Sequence, residues 1–162
     1  MEIIHTHDIR PIDDTLLDAV LDLNTVHAME LSLLDSARLK RLVAAAYFAP
    51  AVGQLDAFML AFDQASDYDS PNFLWFRERY PRFAYVDRIA VAEHARGQGL
   101  ARRLYEALFD KARSDGHTLI TCEVNLDPPN PSSDAFHAAM GFREVGTGGY
   151  GTKTVRYFVK DV

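Results

Sequence analysis

The residues with the clearest chemical potential lie in one stretch, Val91-Ala92-Glu93-His94-Ala95-Arg96-Gly97-Gln98-Gly99-Leu100-Ala101-Arg102. A strand ends, a short turn follows, and glycines open a helix. Glycine lets the backbone approach a ligand closely and present its N–H groups. The first turn of a helix has unpaired N–H donors and a partial positive charge. Together these make a site for a phosphate or pyrophosphate. Arg96 adds a fixed cation beside it, and Arg102 and Arg103 reach outlying phosphates. A surface turn ahead of a well-started helix carries the same glycine pair, so the pair alone is weak. The Rossmann fingerprint needs a third glycine where Arg102 stands, and glycines directly after the strand; residues 92–96 intervene here. A P-loop needs a Gly-Lys-Ser/Thr ending, which is absent. Glu123, at the end of the next strand, is where a Rossmann reading would look for its acidic residue.

The elements that must position this loop follow from hydrophobic periodicity. Residues 3–5 read as a short strand. Asp13 and Asp14 cap a helix whose apolar positions are Leu16, Leu17, Val20, Leu21 and Leu23. Residues 31–46 read as a second helix around Leu39, Leu42 and Val43, running into a strand-like 46–48 that Pro50 stops. Residues 55–62 form a strand. Residues 63–82 read as a long loop, too aromatic to be disordered. A strand at 83–91 leads into the glycine loop. The helix after it carries Leu100, Leu104, Ala107, Leu108 and Ala112 on one face and ends at Gly116. Residues 119–124 form the next strand. Asn130-Pro131 opens a short helix closed by Gly141. Strands 142–145 and 154–159 then pair through a turn at 146–151. The order is β-α-α-β-β-β-α-β-α-β-β, a mixed α+β arrangement.

Composition narrows the function classes. A chain of 162 residues is one domain by default, 1–162, and buries a core without disulfides or metals. The net charge of -6 and the lack of any Lys/Arg cluster argue against a nucleic-acid partner. The one cysteine, Cys122, sits in an apolar run and reads as a small buried hydrophobe, which suits a reducing, cytoplasmic setting. No secretory leader or membrane-spanning run is evident. The scattered histidines His5, His7, His27, His94, His117 and His137 lack metal-site spacing, so no metal is expected.

The loop resembles the acyl-CoA loop of the GNAT superfamily of N-acetyltransferases, whose pattern is Arg/Gln, two residues, Gly, one residue, Gly/Ala. Arg96, Gly99 and Ala101 fit it, and Ile89-Ala90-Val91 is similar to the strand ahead of it. Downstream, Asn125, Ser133, Phe136 and Met140-Gly141-Phe142 resemble the family's second cofactor segment. The resemblance is strong over about residues 85–142 and topological before them. Residues 72–87 also resemble a poorly characterised bacterial branch, which leaves the acceptor open. The resemblance implies a GNAT-like fold, a mixed central sheet of six to seven strands flanked by about four helices. It implies acetyl-CoA as cofactor. The backbone around Ile89, Ala90 and Val91 would pair with the pantetheine arm as an added strand would. The N–H groups of Gly97, Gln98, Gly99, Leu100 and Ala101, with Arg96 and Arg102, would bind pyrophosphate. Asn125, Ser133 and Phe136 would contact the arm. His137 stands where relatives usually carry a tyrosine that protonates the leaving thiolate, and is the candidate acid.

Acceptor-side candidates come from the intervening segments. Asp87 shares a strand face with Tyr85, Ile89 and Val91 if alternation is regular, and could deprotonate an ammonium group or pair with Arg79 or Arg82. Tyr68 and Trp75 either wall an acceptor pocket or pack under the loop. Asn24 and Glu30 lie between the first two helices, where this family often builds its acceptor cleft. The expected activity is direct acetyl transfer from acetyl-CoA to a primary amine of a small molecule, amino acid or peptide. A non-catalytic acyl-CoA-binding module with a sensory or structural role is the alternative. The amine acceptor is the expected partner, a homodimer is admitted, and no membrane or nucleic acid is expected.

Overall fold

Short apolar runs alternating with amphipathic helices resolve into one seven-stranded sheet in the computed structural model, which describes residues 8–27, 31–127 and 129–162. In chain order the elements are β1 (Ile9–Pro11), α1 (Leu17–Val26), α2 (Ser36–Ala45), β2 (Pro50–Val52), β3 (Ala57–Asp63), α3 (Pro71–Arg77), β4 (Ala84–Val91), α4 (Leu100–Ser114), β5 (Leu119–Asp127), α5 (Pro131–Ala139), β6 (Arg143–Tyr150) and β7 (Lys153–Asp161). The sheet order is β1-β2-β3-β4-β5-β7-β6. All neighbours are antiparallel except β4 and β5, which run parallel with α4 as their crossover. Residues 57–62 of β3 are buried without alternation, as a central strand covered on both faces must be. Helix α4 lays Leu100, Leu104, Tyr105, Leu108, Phe109 and Ala112 against the core. Each large side chain so buried contributes about 1.5–3 kcal/mol. Its end is fixed by His117 N–H donating to Ala112 O at 2.8 Å and Gly116 N–H to Arg113 O at 3.1 Å, the paired bonds of a glycine-terminated helix.

Several expectations need correction. The strand expected at 3–5 lies outside the described residues; the first described strand is β1. Helix α2 begins at Ser36 rather than at 31, where the Asp35 carboxylate accepts from the Arg38 N–H at 2.8 Å and supplies the cap. Phe48 makes only an isolated bridge to Ala61, and the strand starts at Pro50 instead of stopping there. Proline is tolerated at that first position. Residues 63–82 contain helix α3, opened by Pro71 and too short to display a helical period. Finally, β6 runs straight through Gly146, Gly148 and Gly149, and the turn is confined to residues 151–152. At Gly146 a Cβ would lie 2.7 Å from the Trp75 ring, so the glycine there makes room for packing rather than for a turn.

Candidate active site

The parallel pair β4–β5 holds together only at Ala84↔Ile120 and Tyr85↔Thr121. Beyond those residues the strands diverge. On its other side β4 pairs with β3, but the register skips Asp87: Leu60 faces Arg88 and Ala61 faces Val86. This one-residue bulge bends β4 and re-aims side chains near it. A cleft of about 400 Å³ fills the divergence, walled by Val86, Ile89 and Val91 of β4, Glu123 and Asn125 of β5, and Phe136 of α5. Residues 86–89 all border it, which a regularly alternating strand does not permit. The common face expected for Tyr85, Asp87, Ile89 and Val91 is therefore broken at the bulge. The β5-facing edge of β4 beyond Tyr85 has no strand partner, so the chain presents an open sheet edge inside a pocket.

At the mouth of the cleft, Gly97 and Gly99 adopt φ values of 78° and 72°, the left-handed region that favours glycine. A Cβ at either would meet nothing within 4 Å, so backbone conformation alone demands the glycine. Gly99 is the N-cap of α4 and supplies no side-chain hydrogen bond. The donors of the first α4 turn are thus left without a capping acceptor, beside exposed Arg96. Ala101 lines the cleft and Leu100 is buried beneath the loop.

Two carboxylates lie at the base of the divergence in unlike surroundings. Asp87 is saturated. Tyr68 donates its hydroxyl to Oδ1 at 2.6 Å, and Arg88 donates Nε–H to Oδ2 at 2.7 Å. Its side chain is 6% exposed and that of Arg88 is 7% exposed, a buried ion pair. Arg88 also donates to the Asn24 amide oxygen at 2.8 Å and to Ser32 O at 3.3 Å. Glu123 is half saturated. Oε1 accepts from the Tyr85 hydroxyl at 2.9 Å and from the Asn72 amide at 3.1 Å, while Tyr157 in turn donates to Asn72 at 2.9 Å. Oε2 is buried and has no partner. Burial, reinforced by the charge of Asp87 and opposed by the Tyr85 bond, pushes the Glu123 carboxyl up to about 8. Both carboxylates and Asn125 also border a second, smaller cavity of about 60 Å³ next to the cleft, lined by Tyr68, Ser70, Asn72 and Lys153 among others.

His137 borders the cleft together with Tyr105, and both of its ring nitrogens are engaged. Its Nδ1 lies 2.7 Å from Ser133 O, which can only accept, so Nδ1 carries the hydrogen. Nε2, 2.9 Å from the Tyr105 hydroxyl, must then accept from it. Burial pushes the imidazole below its ordinary value, against the opposing Ser133 bond, so the ring is neutral at physiological pH. On α5, His137 thus borders the cleft as a neutral ring with both nitrogens hydrogen-bonded. The Tyr105 hydroxyl is itself pushed well up by burial.

A sheet that splits between two parallel strands, with a glycine-opened helix at the mouth, matches a known family. Residues 64–142 fit the Acetyltransferase (GNAT) family model. Over those residues the sequence is similar to GNAT acetyltransferases. A curated relative, the L-2,4-diaminobutyric acid acetyltransferase of Wolinella succinogenes, is 31% identical over 67 residues. That alignment covers 41% of this chain and only 39% of the relative. Among solved structures, the ribosomal-protein-S18-alanine N-acetyltransferase of Escherichia coli superposes with a TM-score of 0.71 at 19% identity, covering 96% of this chain and 93% of the other. Arabidopsis thaliana NAA60, solved with acetyl-CoA, gives 0.76 at 17% identity, covering 97% and 99%. At such identities the likeness is one of fold.

Ile89, Val91, Asn125, Ser133 and Phe136 line the cleft, while Ala90 turns into the core opposite Phe58. Arg102 points outward, 3.6 Å from Glu106. Tyr68 borders the smaller cavity, but Tyr85 is fully buried and reaches it only through Glu123. Trp75 lines neither cavity: it stacks on Tyr157 at 4.1 Å, with the Arg79 guanidinium 3.9 Å above the ring. Asn24 is wholly buried and holds Arg88 rather than facing an acceptor. Glu30 lies outside the described residues. In the sequence Glu123 stood out only as the acidic residue a Rossmann motif would need, with no role on the acceptor side, although it is a lone carboxylate in the apolar strand 119–124. Nothing local marked Asn72, Tyr105 or Lys153.

Proposed function

We propose that this chain is an N-acetyltransferase that moves an acetyl group from acetyl-CoA to a primary amine of a small molecule, amino acid or peptide. The observation that carries the reading is Glu123: a raised carboxyl with one buried, unpartnered oxygen, at the border between the cleft and the smaller cavity. The surroundings fit acetyl-CoA. An uncapped helix start with open space above Gly97 and Gly99 suits a pyrophosphate, and the free β4 edge suits an amide-bearing arm. Bound there, acetyl-CoA supplies an activated acetyl thioester.

The chain's residues then do the following. The N–H groups of residues 97–101 and the Arg96 guanidinium hold the pyrophosphate. The β4 backbone at Ile89 and Val91 holds the arm, and Asn125, Ser133 and Phe136 line its path. The Ile89 N–H polarises the thioester carbonyl and stabilises negative charge on its oxygen. Glu123 Oε2 takes a proton from the acceptor ammonium, directly or through one water, so that a neutral amine attacks. Asp87 locks Tyr68 and Arg88 in the wall of the smaller cavity. With His137 neutral and engaged, water protonates the departing thiolate.

The Wolinella relative is named for an amino acid and the Escherichia coli structure for a ribosomal-protein alanine, so relatives span small and peptide acceptors. The space beside Glu123 favours turnover over a module that only binds. A cytoplasmic setting agrees with the single buried thiol of Cys122. Among the described residues no helix is long and apolar enough to cross a membrane. An amine and amino-acid panel with acetyl-CoA, followed by thiol release, tests the proposal. Tight acetyl-CoA binding with no thiol release from any amine would leave only the binding module.

A further inference from the structure

We infer that the acceptor carries a carboxylate a few bonds from its reactive amine, and that Lys153 binds it; this rests on the acetyl-transfer reading above. The smaller cavity beside Glu123 is bordered by Asp87, Arg88, Tyr68, Ser70, Asn125 and Lys153. Its charges do not cancel. Arg88 and Asp87 neutralise each other in a buried pair at 2.7 Å, and Arg88 Nη1 donates to Asn24 and Ser32. The other Asp87 oxygen is engaged by Tyr68. Glu123 stays largely protonated near neutrality because burial holds its carboxyl at about 8. Lys153 is the residual cation. Its backbone belongs to the β6–β7 ladder, but among the described residues its ammonium has no hydrogen-bond or ion-pair partner.

The strand geometry aims Lys153 at this cavity independently. Lys153, Val155 and Tyr157 share one face of β7, since side chains alternate. Val155 borders the same cavity, and Tyr157 donates to Asn72, which holds Glu123. The opposite face of β7 goes elsewhere: Arg156 lies 3.6 Å from Asp134 on α5. A cation left unpaired in a polar cavity attracts an anion. The acceptor's own carboxylate fills that need, while its ammonium meets Glu123. In the fraction of the protein whose Glu123 is ionised, which grows as pH approaches about 8, proton transfer from that ammonium leaves a neutral acid, a neutral amine and a Lys153–carboxylate pair, so no unpaired charge is buried. A cavity of about 60 Å³ admits a small polar group and not a long chain, which favours a free amino acid over a peptide.

The test compares each of glycine, β-alanine, γ-aminobutyrate and 2,4-diaminobutyrate with its carboxamide and its decarboxylated amine, at saturating acetyl-CoA. Wild type should prefer the carboxylates. Lys153→Met should lower their kcat/KM about 10- to 100-fold, the scale of one hydrogen bond to a charged group, and leave the uncharged acceptors within threefold. Lys153→Arg should restore most of the loss, and unchanged CoA affinity would show that the variants are folded. Carboxamides or bare amines used as well as carboxylates by wild type, or equal losses on all acceptors in Lys153→Met, would overturn the inference. If no amine is acetylated, calorimetry of N-acetylglycine and N-acetyl-β-alanine with the CoA-bound protein decides. Binding lost in Lys153→Met would uphold the carboxylate site while the transfer reading fails, and no Lys153-dependent binding would end both.

Discussion

Replacing Glu123 by glutamine changes one oxygen and little else. Glutamine keeps Oε1, so the bonds from Tyr85 and Asn72 survive, and the new amide occupies the place of Oε2, which has no partner to lose. The fold should therefore persist while the base disappears. General-base loss typically costs about a hundred- to ten-thousandfold in rate, or roughly 3–5 kcal/mol of barrier. The base works deprotonated, so wild-type kcat should rise about tenfold per pH unit up to about 8 and then level. The variant should lack that inflection. Two acceptors of different amine pKa separate Glu123 from the substrate's own titration, because only an enzyme group gives the same inflection with both. Stability carries an independent sign. The folded state holds the Glu123 proton between its ordinary 4.5 and about 8, so the unfolded state releases a proton first and stability falls as pH rises through that window. The full loss is on the order of 5 kcal/mol for one buried carboxyl. Urea titrations of both proteins from pH 4 to pH 9 should therefore diverge, with the glutamine variant gaining as pH rises. Parallel stability curves, or a variant with wild-type rate and pH profile, would refute the assignment.

Other perturbations follow from the same geometry. Gly99→Val forces a β-branched residue to φ near 72°, a left-handed strain of at least about 1–2 kcal/mol, and places a side chain where the anion sits; calorimetry should show CoA affinity falling tenfold or more with the far-ultraviolet spectrum unchanged. His137→Phe strands the buried Tyr105 hydroxyl without its acceptor, so stability should fall by about 1–3 kcal/mol while turnover stays within a few-fold across pH; loss of an acid-dependent limb in the rate profile would restore the proton-donor role instead. Gly146→Ala places a Cβ within 2.7 Å of Trp75 and should lower the urea midpoint by an amount equivalent to about 1–3 kcal/mol of overpacking, with indole fluorescence reporting the displaced ring.

The parts of this site that could be read from the chain were those whose constraint is local. The loop 96–101 announces itself because a left-handed backbone needs glycine wherever the rest of the chain goes. Asn130-Pro131 and Gly141 mark the ends of α5 for similar reasons, and the Asn130 side chain does accept from the Ser133 N–H at 3.3 Å. Asp87 was visible as a carboxylate, but its surroundings were not. Strand alternation placed it on a face that the bulge abolishes, and its arginine proved to be the adjacent Arg88 rather than Arg79 or Arg82. Glu123 is the converse case. Its chemistry depends on Tyr85, Asn72 and Tyr157, which come from three other elements, so no window of sequence contains the cause of its raised pKa. The glycines of β6 misled for a similar reason: Gly146 makes room for Trp75, which lies far away in the chain, and Gly148 for Tyr157, which only the β6–β7 pairing brings against it.

The two register pairs joining β4 to β5 have a mechanical meaning beyond making room. They divide the sheet into a four-strand panel, β1 to β4, and a three-strand panel, β5 to β7, stitched together for barely one residue's width on each side. Helix α4 serves as the brace, since it follows β4, packs on β3 and β4, and delivers the chain to β5. A ligand arm lying along the bare edge of β4 and touching β5 would act as a second seam. The enzyme would then be stiffest when charged with its acyl donor and loosest after release. If the donor lies along that free edge, its occupancy would set the angle between the panels and should be readable as slowed amide exchange along residues 86–91.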